Sequence, residues 1–299
     1  MSNIDLVITY VDSDNSEWQE NFNKMSVESY SMYYRTNKNM LRYLLRSVAK
    51  NLSFINKVWL VVQNESEVPS YVNKKEVNVV THKEFIPAKY LPTFNSNTIE
   101  SFIGRIDGLA DRFLYMNDDW FIIDPLTEED FFARDKALSY FYLDNIENEK
   151  PTSFQEYLLR NSELIWGISR EDSIKKGKVI NMNHTIRPYF KKAFNECYEK
   201  YWYWIEPTLT TFRDTSNYNI YIVDSYQNKI GIGENKKTVN YCCCKGTQNQ
   251  EEIDTILNNF NYKTLVLVDN NQVNNIFKNE TLLAFLNKNF PEASKYEVL

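Results

Sequence analysis

The stretch NMLRYLLRSVAKNLSFINKVWLVV (Asn39–Val62) decides the fold class. Its first half places Met40, Leu41, Leu44, Leu45 and Val48 at the i, i+3, i+4 spacing that gives a helix one apolar stripe. Its second half ends in VWLVV (Val58–Val62), an uninterrupted apolar run of the kind a strand shows when both its faces are buried in a parallel sheet. Toward the N-terminus, IDLVITYVD (Ile4–Asp12) is a second apolar strand, closed by an acid and by the polar residues Ser13–Ser16, with a helix starting near Glu17. In the other direction lie a strand at Val77–Val80, an irregular stretch through Pro87 and Pro92, and a helix over Asn97–Ile103. The strand FLYM (Phe113–Met116) follows and ends in Asn117-Asp118-Asp119. Strands that alternate with helices specify an α/β fold with a mostly parallel sheet.

Further along, Phe154–Leu164 has helical spacing and Tyr189–Trp204 is helical and strongly aromatic, so residues 135–204 are expected to form a helical layer inserted into one domain of 299 residues. Strands are expected again at Asn219–Val223, Thr238–Cys243 and Thr264–Val268. A terminal helix over Glu280–Asn289 stops before Pro291, whose ring a helix interior does not accept.

Composition narrows the function classes. A net charge of −6 argues against a nucleic-acid protein, which needs an excess of Lys and Arg to meet a phosphate backbone. Any phosphate site must therefore be local. Three of the four cysteines are consecutive, Cys242–Cys244, and neighbours in a strand point to opposite faces, so they read as ordinary strand in a reducing compartment. Two histidines, His82 and His184, and the lack of a C-x-x-C pair argue against a structural zinc site. The chain runs straight into Ile4–Ile8 without a basic leader, and no segment reaches the ~20 apolar residues that span a bilayer. The expectation is a cytoplasmic protein, peripheral to the membrane at most. The aromatic content of 15% suits a carbohydrate-handling surface but is explained in larger part by an AT-rich coding sequence.

Chemistry concentrates at FLYMNDDWF (Phe113–Phe121), where an apolar strand delivers two adjacent carboxylates and an amide to its carboxyl end, the end at which open α/β sheets bind ligands. Adjacent carboxylates repel unless a cation such as Mg²⁺ or Mn²⁺, or a proton-transfer task, makes use of them. A solvated Asp-capped turn reads the same way in isolation; here the apolar flanks on both sides favour the ligand-facing reading. LPTFNSNTIE (Leu91–Glu100) leads polar Thr93, Asn95 and Ser96 into a helix start, where such groups either cap the helix or, with the backbone N–H groups, hold an anion.

Taken in order, IDLVITYVD, Tyr34–Asn64, and Leu91–Phe132 resemble the first two conserved regions of the Stealth family. NHTIRPYFKKAF (Asn183–Phe194) with TTFRDTSNYNIYIV (Thr210–Val223) resembles the third, and LVLVDNN (Leu265–Asn271) with FLNKNFPEASKYE (Phe285–Glu297) the fourth. That family includes bacterial capsular-polysaccharide phosphotransferases and the catalytic subunit of the lysosomal-enzyme N-acetylglucosamine-1-phosphotransferase. The resemblance implies a fold like the glycosyltransferase type A nucleotide-sugar architecture, a nucleotide-sugar donor such as a UDP-hexose or UDP-N-acetylhexosamine, a glycan or lipid-linked glycan acceptor, and a divalent cation, Mg²⁺ or Mn²⁺. It makes Asp12 the acid that ends the first strand, Asn117, Asp118 and Asp119 the central acidic cluster, His184 a reaction-centre residue and Arg213 a phosphate ligand. Asp118 or Asp119 is to bind metal or take the proton, while His184 serves as base or orients the acceptor. Arg213, with Arg187 or Arg35, is to neutralise charge on the phosphates. Arg42, Arg105, Asn95 and Ser96 join the substrate-binding set, as do Asp269 and Asn270, whose order is the reverse of the family's Asn-Asp. His82 is expected to be structural. The expected reaction is transfer of a hexose 1-phosphate to a glycan hydroxyl with release of a nucleoside monophosphate. The rivals are ordinary glycosyl transfer on the same architecture and an inactive carbohydrate-binding protein.

Overall fold

The structure is a computed structural model that describes residues 3–25, 40–236, 241–268 and 276–298. In chain order its elements are β1 (Ile4–Thr9), α1 (Ser16–Met25), α2 (Met40–Asn51), β2 (Val58–Val62), β3 (Val77–Thr81), α3 (His82–Phe85), α4 (Ser96–Glu100), β4 (Arg112–Asn117), β5 (Trp120–Ile122), β6 (Phe132–Ala133), β7 (Lys136–Ser139) and β8 (Phe141–Asn145). They continue with α5 (Ser153–Trp166), α6 (Arg170–Lys176), β9 (Lys178–Met182), β10 (Arg187–Phe190), α7 (Lys191–Ile205), α8 (Tyr221–Lys229), β11 (Gly233–Asn235), β12 (Tyr241–Lys245), α9 (Gln250–Asn258), β13 (Thr264–Val268) and α10 (Glu280–Asn289). The chain folds into two compact units. The first comprises Met1–Thr81, Tyr115–Glu128 and Val239–Leu299, and the second His82–Leu114 and Glu129–Thr238.

In the first unit β1, β2 and β3 run parallel in the order β4-β1-β2-β3, with Ile8 opposite Leu60 and Leu60 opposite Val79. Parallel neighbours need a crossover, and α2 lies in the one between β1 and β2. Its apolar stripe, Met40, Leu41, Leu44, Leu45 and Val48, is buried as the spacing required, each side chain contributing about 1.5–3 kcal/mol. The polar residues at the end of α2 are also used. Asn51 Nδ2 donates to the carbonyls of Ile122 (2.6 Å) and Ile123 (3.1 Å), and Ser47 Oγ accepts from the Ile122 N–H (3.2 Å). These bonds pin β5, which pairs antiparallel with β13, itself parallel to β12. So β4 ends in one sheet and β5 begins in another, and Asp118-Asp119 is the corner between them. Cys242–Cys244 are ordinary strand, opposite Leu265–Leu267, and all four cysteines are free thiols.

The second unit is not the helical layer expected for residues 135–204. That stretch holds α5, α6 and α7 but also β7, β8, β9 and β10. β7 stands between β11 and β6, β8 pairs antiparallel with β9, and β10 lies beside β4. The helix expected from Tyr189 begins only at Lys191, because Arg187–Phe190 extend as strand. The helix expected over Asn97–Ile103 stops at Glu100, where Ser101 Oγ bonds the Asn97 carbonyl (2.7 Å) and a 3-10 turn follows at Ile103–Arg105. The strand expected at Asn219–Val223 is in fact the start of α8: its alternating aromatic and β-branched residues favour extended chain in isolation, but every residue from Tyr221 to Gln227 is buried, and a helix buried all round needs no amphipathic period. The strand expected at Thr238–Cys243 is seen as β12, and its residues 238–240 lie outside the described residues. Much of the aromatic content of this unit goes to the core rather than to a sugar-facing surface. Phe113, Tyr189 and Phe194 pack ring to ring at 5.4–5.7 Å, each almost fully buried.

Candidate active site

Arg35, Asp269 and Asn270 lie outside the described residues. The other expected site residues divide between the units: Asp12, Arg42, Asn117, Asp118 and Asp119 belong to the first, and Asn95, Ser96, Arg105, His184, Arg187 and Arg213 to the second.

In the first unit, β1 and β4 carry the site by their carboxyl ends. Asn117 closes β4 with its Oδ1 accepting from the Tyr115 hydroxyl (2.7 Å) and from Thr9 Oγ1 (3.4 Å) on β1. That fixes the amide so that its NH₂ turns away from both hydroxyls and is left to donate elsewhere. Asp118 and Asp119 follow in the corner, each only 4% exposed, and the Asp119 carbonyl accepts the Leu267 N–H of β13 (2.9 Å). Two buried adjacent carboxylates are held in a rigid frame.

Asp12, past the end of β1, gives its backbone N–H to Glu67 Oε2 (3.3 Å), and Glu67 Oε1 accepts the Asn64 N–H (2.9 Å). Burial pushes the Glu67 carboxyl up to about 7, against the pull of those N–H groups, with the nearby Asp12 charge raising it further. Tyr10 completes this acidic neighbourhood. Burial, then the charges of Asp12, Asp118 and Glu67, keep its phenol neutral, and its hydroxyl has no hydrogen-bond partner among the described residues. Sequence reading missed both residues. The Asn64-x-x-Glu67 spacing of a capping box was the available signal for Glu67; nothing local marked Tyr10.

Arg42 is employed differently from the expectation. Its Nε lies 3.2 Å from Glu297 Oε2 and its guanidinium stacks over Tyr71 at 4.4 Å. Arg46 forks onto the same carboxylate (2.8 and 3.0 Å). Burial works against the Glu297 charge, yet the Arg46 and Ser294 hydrogen bonds hold its carboxyl below the usual value. Arg42 therefore ties the C-terminal segment to α2.

In the second unit, Asn95 is fully buried and caps α4, its Oδ1 accepting the Asn97 N–H (3.0 Å). Its Nδ2 donates into the Thr208–Asn217 loop, at the Thr210 and Phe212 carbonyls (3.2 and 3.1 Å) and at Asn217 Oδ1 (2.9 Å). The side chain has no hydrogen left for a ligand. It is a clamp, where the expectation was a substrate contact. Asn217, which the sequence reading did not single out, is its counterpart, receiving also the Asp214 N–H (2.9 Å). Removing the Asn95 side chain strands several buried partners, so Asn95→Ala should cost roughly 3 kcal/mol. Urea unfolding checks this, and a change within experimental error sinks the clamp.

The clamp's product is the placement of Arg213, whose Nε and Nη2 both donate to Ser96 Oγ (3.1 and 2.7 Å) at the start of α4. Ser96 and Arg213, assigned separately to the site from the sequence, are thus in contact, and Phe94 stacked on Phe212 at 5.5 Å stiffens the same loop. Arg105 lies over Phe102 (5.0 Å) and Trp202 (5.9 Å).

His184 stands in the loop between β9 and β10, with Nδ1 3.1 Å from the Tyr221 hydroxyl of α8. Arg187, expected at the substrate phosphates, is buried instead, with Nη1 3.2 Å from Asp224 Oδ2 and its guanidinium carbon 3.5 Å from the Tyr221 ring centre. Nη2 donates to the Asn183 carbonyl (2.7 Å), and the Tyr189 hydroxyl donates to Asp224 Oδ2 (2.7 Å). Burial lifts the Asp224 carboxyl above the usual carboxylate value, with Arg187 and Tyr189 holding it back. Arg187 resists burial and keeps its charge through Tyr221 and Asp224. His82 is buried and its imidazole pushed down to about 3 by that burial, in keeping with the structural role expected of it.

Among the described residues no three His, Cys, Asp or Glu side chains form a group able to hold a metal ion, and no helix is long and apolar enough to cross a membrane. The donor set at Asp118-Asp119 still suits Mg²⁺ or Mn²⁺, which are bound through one or two carboxylates with water and substrate phosphate oxygens supplying the rest.

Residues 34–140, which include both the Tyr34–Asn64 and Leu91–Phe132 segments, match the family profile described as Stealth protein CR2, conserved region 2. The capsular polysaccharide phosphotransferase fcs1 of Haemophilus influenzae is 34% identical over 46% of this chain and 40% of its own length, so the chain spans less than half of that relative. The capsular polysaccharide phosphotransferase WcwK of Streptococcus pneumoniae is 25% identical over 99% of this chain and 98% of its own length. Among solved structures, the galactosyltransferase LgtC, in complex with donor and acceptor sugar analogs, is similar with a TM-score of 0.44 and 10% identity over 98% of both chains. The chain is thus similar to bacterial capsular polysaccharide phosphotransferases, and its residues 34–140 match conserved region 2 of the Stealth proteins.

Proposed function

We propose that the chain transfers a hexose 1-phosphate from a nucleotide diphosphate sugar to a glycan hydroxyl in the synthesis of capsule or another surface polysaccharide. The observation that carries this reading is the buried Asp118-Asp119 pair, which closes β4 inside the stretch matching Stealth conserved region 2. In the reaction the acceptor oxygen bonds to the sugar-linked phosphorus, the bond from that phosphorus to the bridging oxygen breaks, and a nucleoside monophosphate leaves with the bridging oxygen. The anomeric carbon is untouched, so the sugar keeps its configuration.

Asp118 and Asp119 divide two tasks, accepting the hydroxyl proton and holding Mg²⁺ or Mn²⁺. The cation, when bound, supplies positive charge against the diphosphate. Arg213, its plane set by Ser96, hydrogen-bonds the phosphoryl oxygens as charge grows there. Asp12 and the Asn117 amide hold the nucleotide. His184 acts beside the reacting phosphoryl group, and the 135–204 stretch serves the acceptor glycan. The donor is a UDP-hexose or UDP-N-acetylhexosamine, the acceptor a glycan or lipid-linked glycan, and the setting the cytoplasm, with at most peripheral attachment to membrane.

Incubation of the purified chain with a panel of nucleotide sugars and acceptor glycan should release a nucleoside monophosphate and give a product with a phosphodiester signal by ³¹P NMR. A nucleoside diphosphate as sole product, with phosphorus-free glycan, defeats phosphotransfer and favours glycosyl transfer.

A further inference from the structure

We infer that His184 meets its substrate as a hydrogen-bond donor through Nε2–H, because Tyr221 delivers its phenolic proton to Nδ1. The inference rests on the reading of His184 as a reaction residue and deepens it, since the sequence left base and orienting roles open. It begins from proton accounting. Tyr221 is 5% exposed, and a buried hydroxyl left without an acceptor costs about 1–3 kcal/mol. Among the described residues the acceptor offered to it is His184 Nδ1, at 3.1 Å. A ring with an accepting Nδ1 carries its proton on Nε2 when neutral.

The groups behind Tyr221 drive the proton the same way. The Arg187 guanidinium stacks on the face of the Tyr221 ring, its carbon 3.5 Å from the ring centre. A guanidinium has no acceptor, so it offers the phenolic proton no competing site, and the imidazole Nδ1 at 3.1 Å remains the acceptor for it. Burial keeps the phenol neutral and therefore in possession of that proton, with Arg187 opposing but not reversing the effect. The chain of contacts is therefore Arg187 on the Tyr221 ring face and the Tyr221 hydroxyl at His184 Nδ1.

The chain is anchored from both sides. Asp224, one turn along α8 from Tyr221, holds Arg187 Nη1 at 3.2 Å and is itself held by Tyr189. Arg187 Nη2 reaches back to the Asn183 carbonyl, next to His184, so the same guanidinium fixes the loop that presents the imidazole. Burying such an ion pair gains little stability over apolar packing of the same shape. Its use here is register: it sets the position of Tyr221 and the loop relative to each other. Tyr221 is thus a positioning residue that selects the tautomer, and His184 enters the reaction as a hydrogen-bond donor rather than as the base.

The chain has two histidines, so ¹⁵N-histidine labelling gives a spectrum of two rings. His82, neutral through burial, serves as the internal report on the fold. Long-range ¹H–¹⁵N correlation above the imidazole titration range should show the His184 ring protonated at Nε2 with Nδ1 a hydrogen-bonded acceptor. In Tyr221→Phe the Nδ1 resonance should move to that of an unbonded acceptor while His82 stays in place. In the same variant kcat should fall about 10- to 100-fold, with the donor KM changed less than about threefold. His184→Gln, whose amide can still donate, should keep roughly tenfold more turnover than His184→Ala. A ring protonated at Nδ1 in the unaltered protein, or His184 signals identical in Tyr221→Phe, overturns the proton assignment without touching the transferase reading. Full turnover in His184→Ala overturns the place of His184 in the reaction whatever its tautomer.

Discussion

Asp118→Asn and Asp119→Asn should each lower turnover roughly 10²- to 10³-fold while the thermal unfolding midpoint changes little. Asn keeps the shape of Asp, so the packing around two side chains that are each 4% exposed is preserved. Backbone and neighbouring polar groups also hold the frame. The corner is pinned through the Asp119 carbonyl to Leu267, and β5 through Asn51 and Ser47 of α2. What the substitution removes is charge at the end of β4, and with it the capacity to take a proton or to hold a cation against a diphosphate. Steady-state nucleotide release, with circular dichroism melting as the fold control, measures both effects. Near-normal turnover in both variants removes the pair from the reaction. Full activity of the unaltered protein in excess chelator removes the cation and leaves the carboxylates with the proton.

Arg213→Lys should lower kcat about 10²-fold with a donor KM within about threefold of the original. Two of the guanidinium's nitrogens share Ser96 Oγ at 3.1 and 2.7 Å, which orients the plane and hence the direction of its other N–H groups. Lysine restores the charge but has neither plane nor fork, so a contact that strengthens as charge develops on the phosphoryl oxygens is lost while general attraction to the donor remains. Initial-rate kinetics across donor concentrations separates the two. A rise in KM with unchanged kcat shows that Arg213 binds donor and transition state equally well, contrary to the role given to it.

The first unit was the more legible part. The α2 stripe and the VWLVV run carry opposite periodicities over adjacent residues, and each buried pattern matched its element because the local preference and the tertiary environment agreed. The β4 end was legible for the same reason: a fully apolar strand that stops at Asn117-Asp118-Asp119 states both the element and where its polar groups emerge. The second unit was read less well. Asn219–Val223 looks like strand by residue type and folds as helix, because burial on all sides leaves no amphipathic period to read. The short strands of the 135–204 stretch, several of them half exposed, carry no clean alternation.

The sequence alone settled residue types and their order: the alternation of strand and helix, the acidic pair at a strand end, and the four segments that resemble the Stealth regions, because these depend on neighbours within one element. Tertiary structure alone decided which polar groups are already spent. Asn95 is consumed by the Thr208–Asn217 loop, Arg187 by Asp224 and Arg42 by Glu297, whereas Arg213 rests on Ser96 and His184 on Tyr221. Those partners lie between 37 and 255 positions apart, for example Asn95 and Asn217 at 122 and His184 and Tyr221 at 37. A hydrogen bond is satisfied by distance and direction in space, and no local pattern of residues records which distant group will arrive to satisfy it.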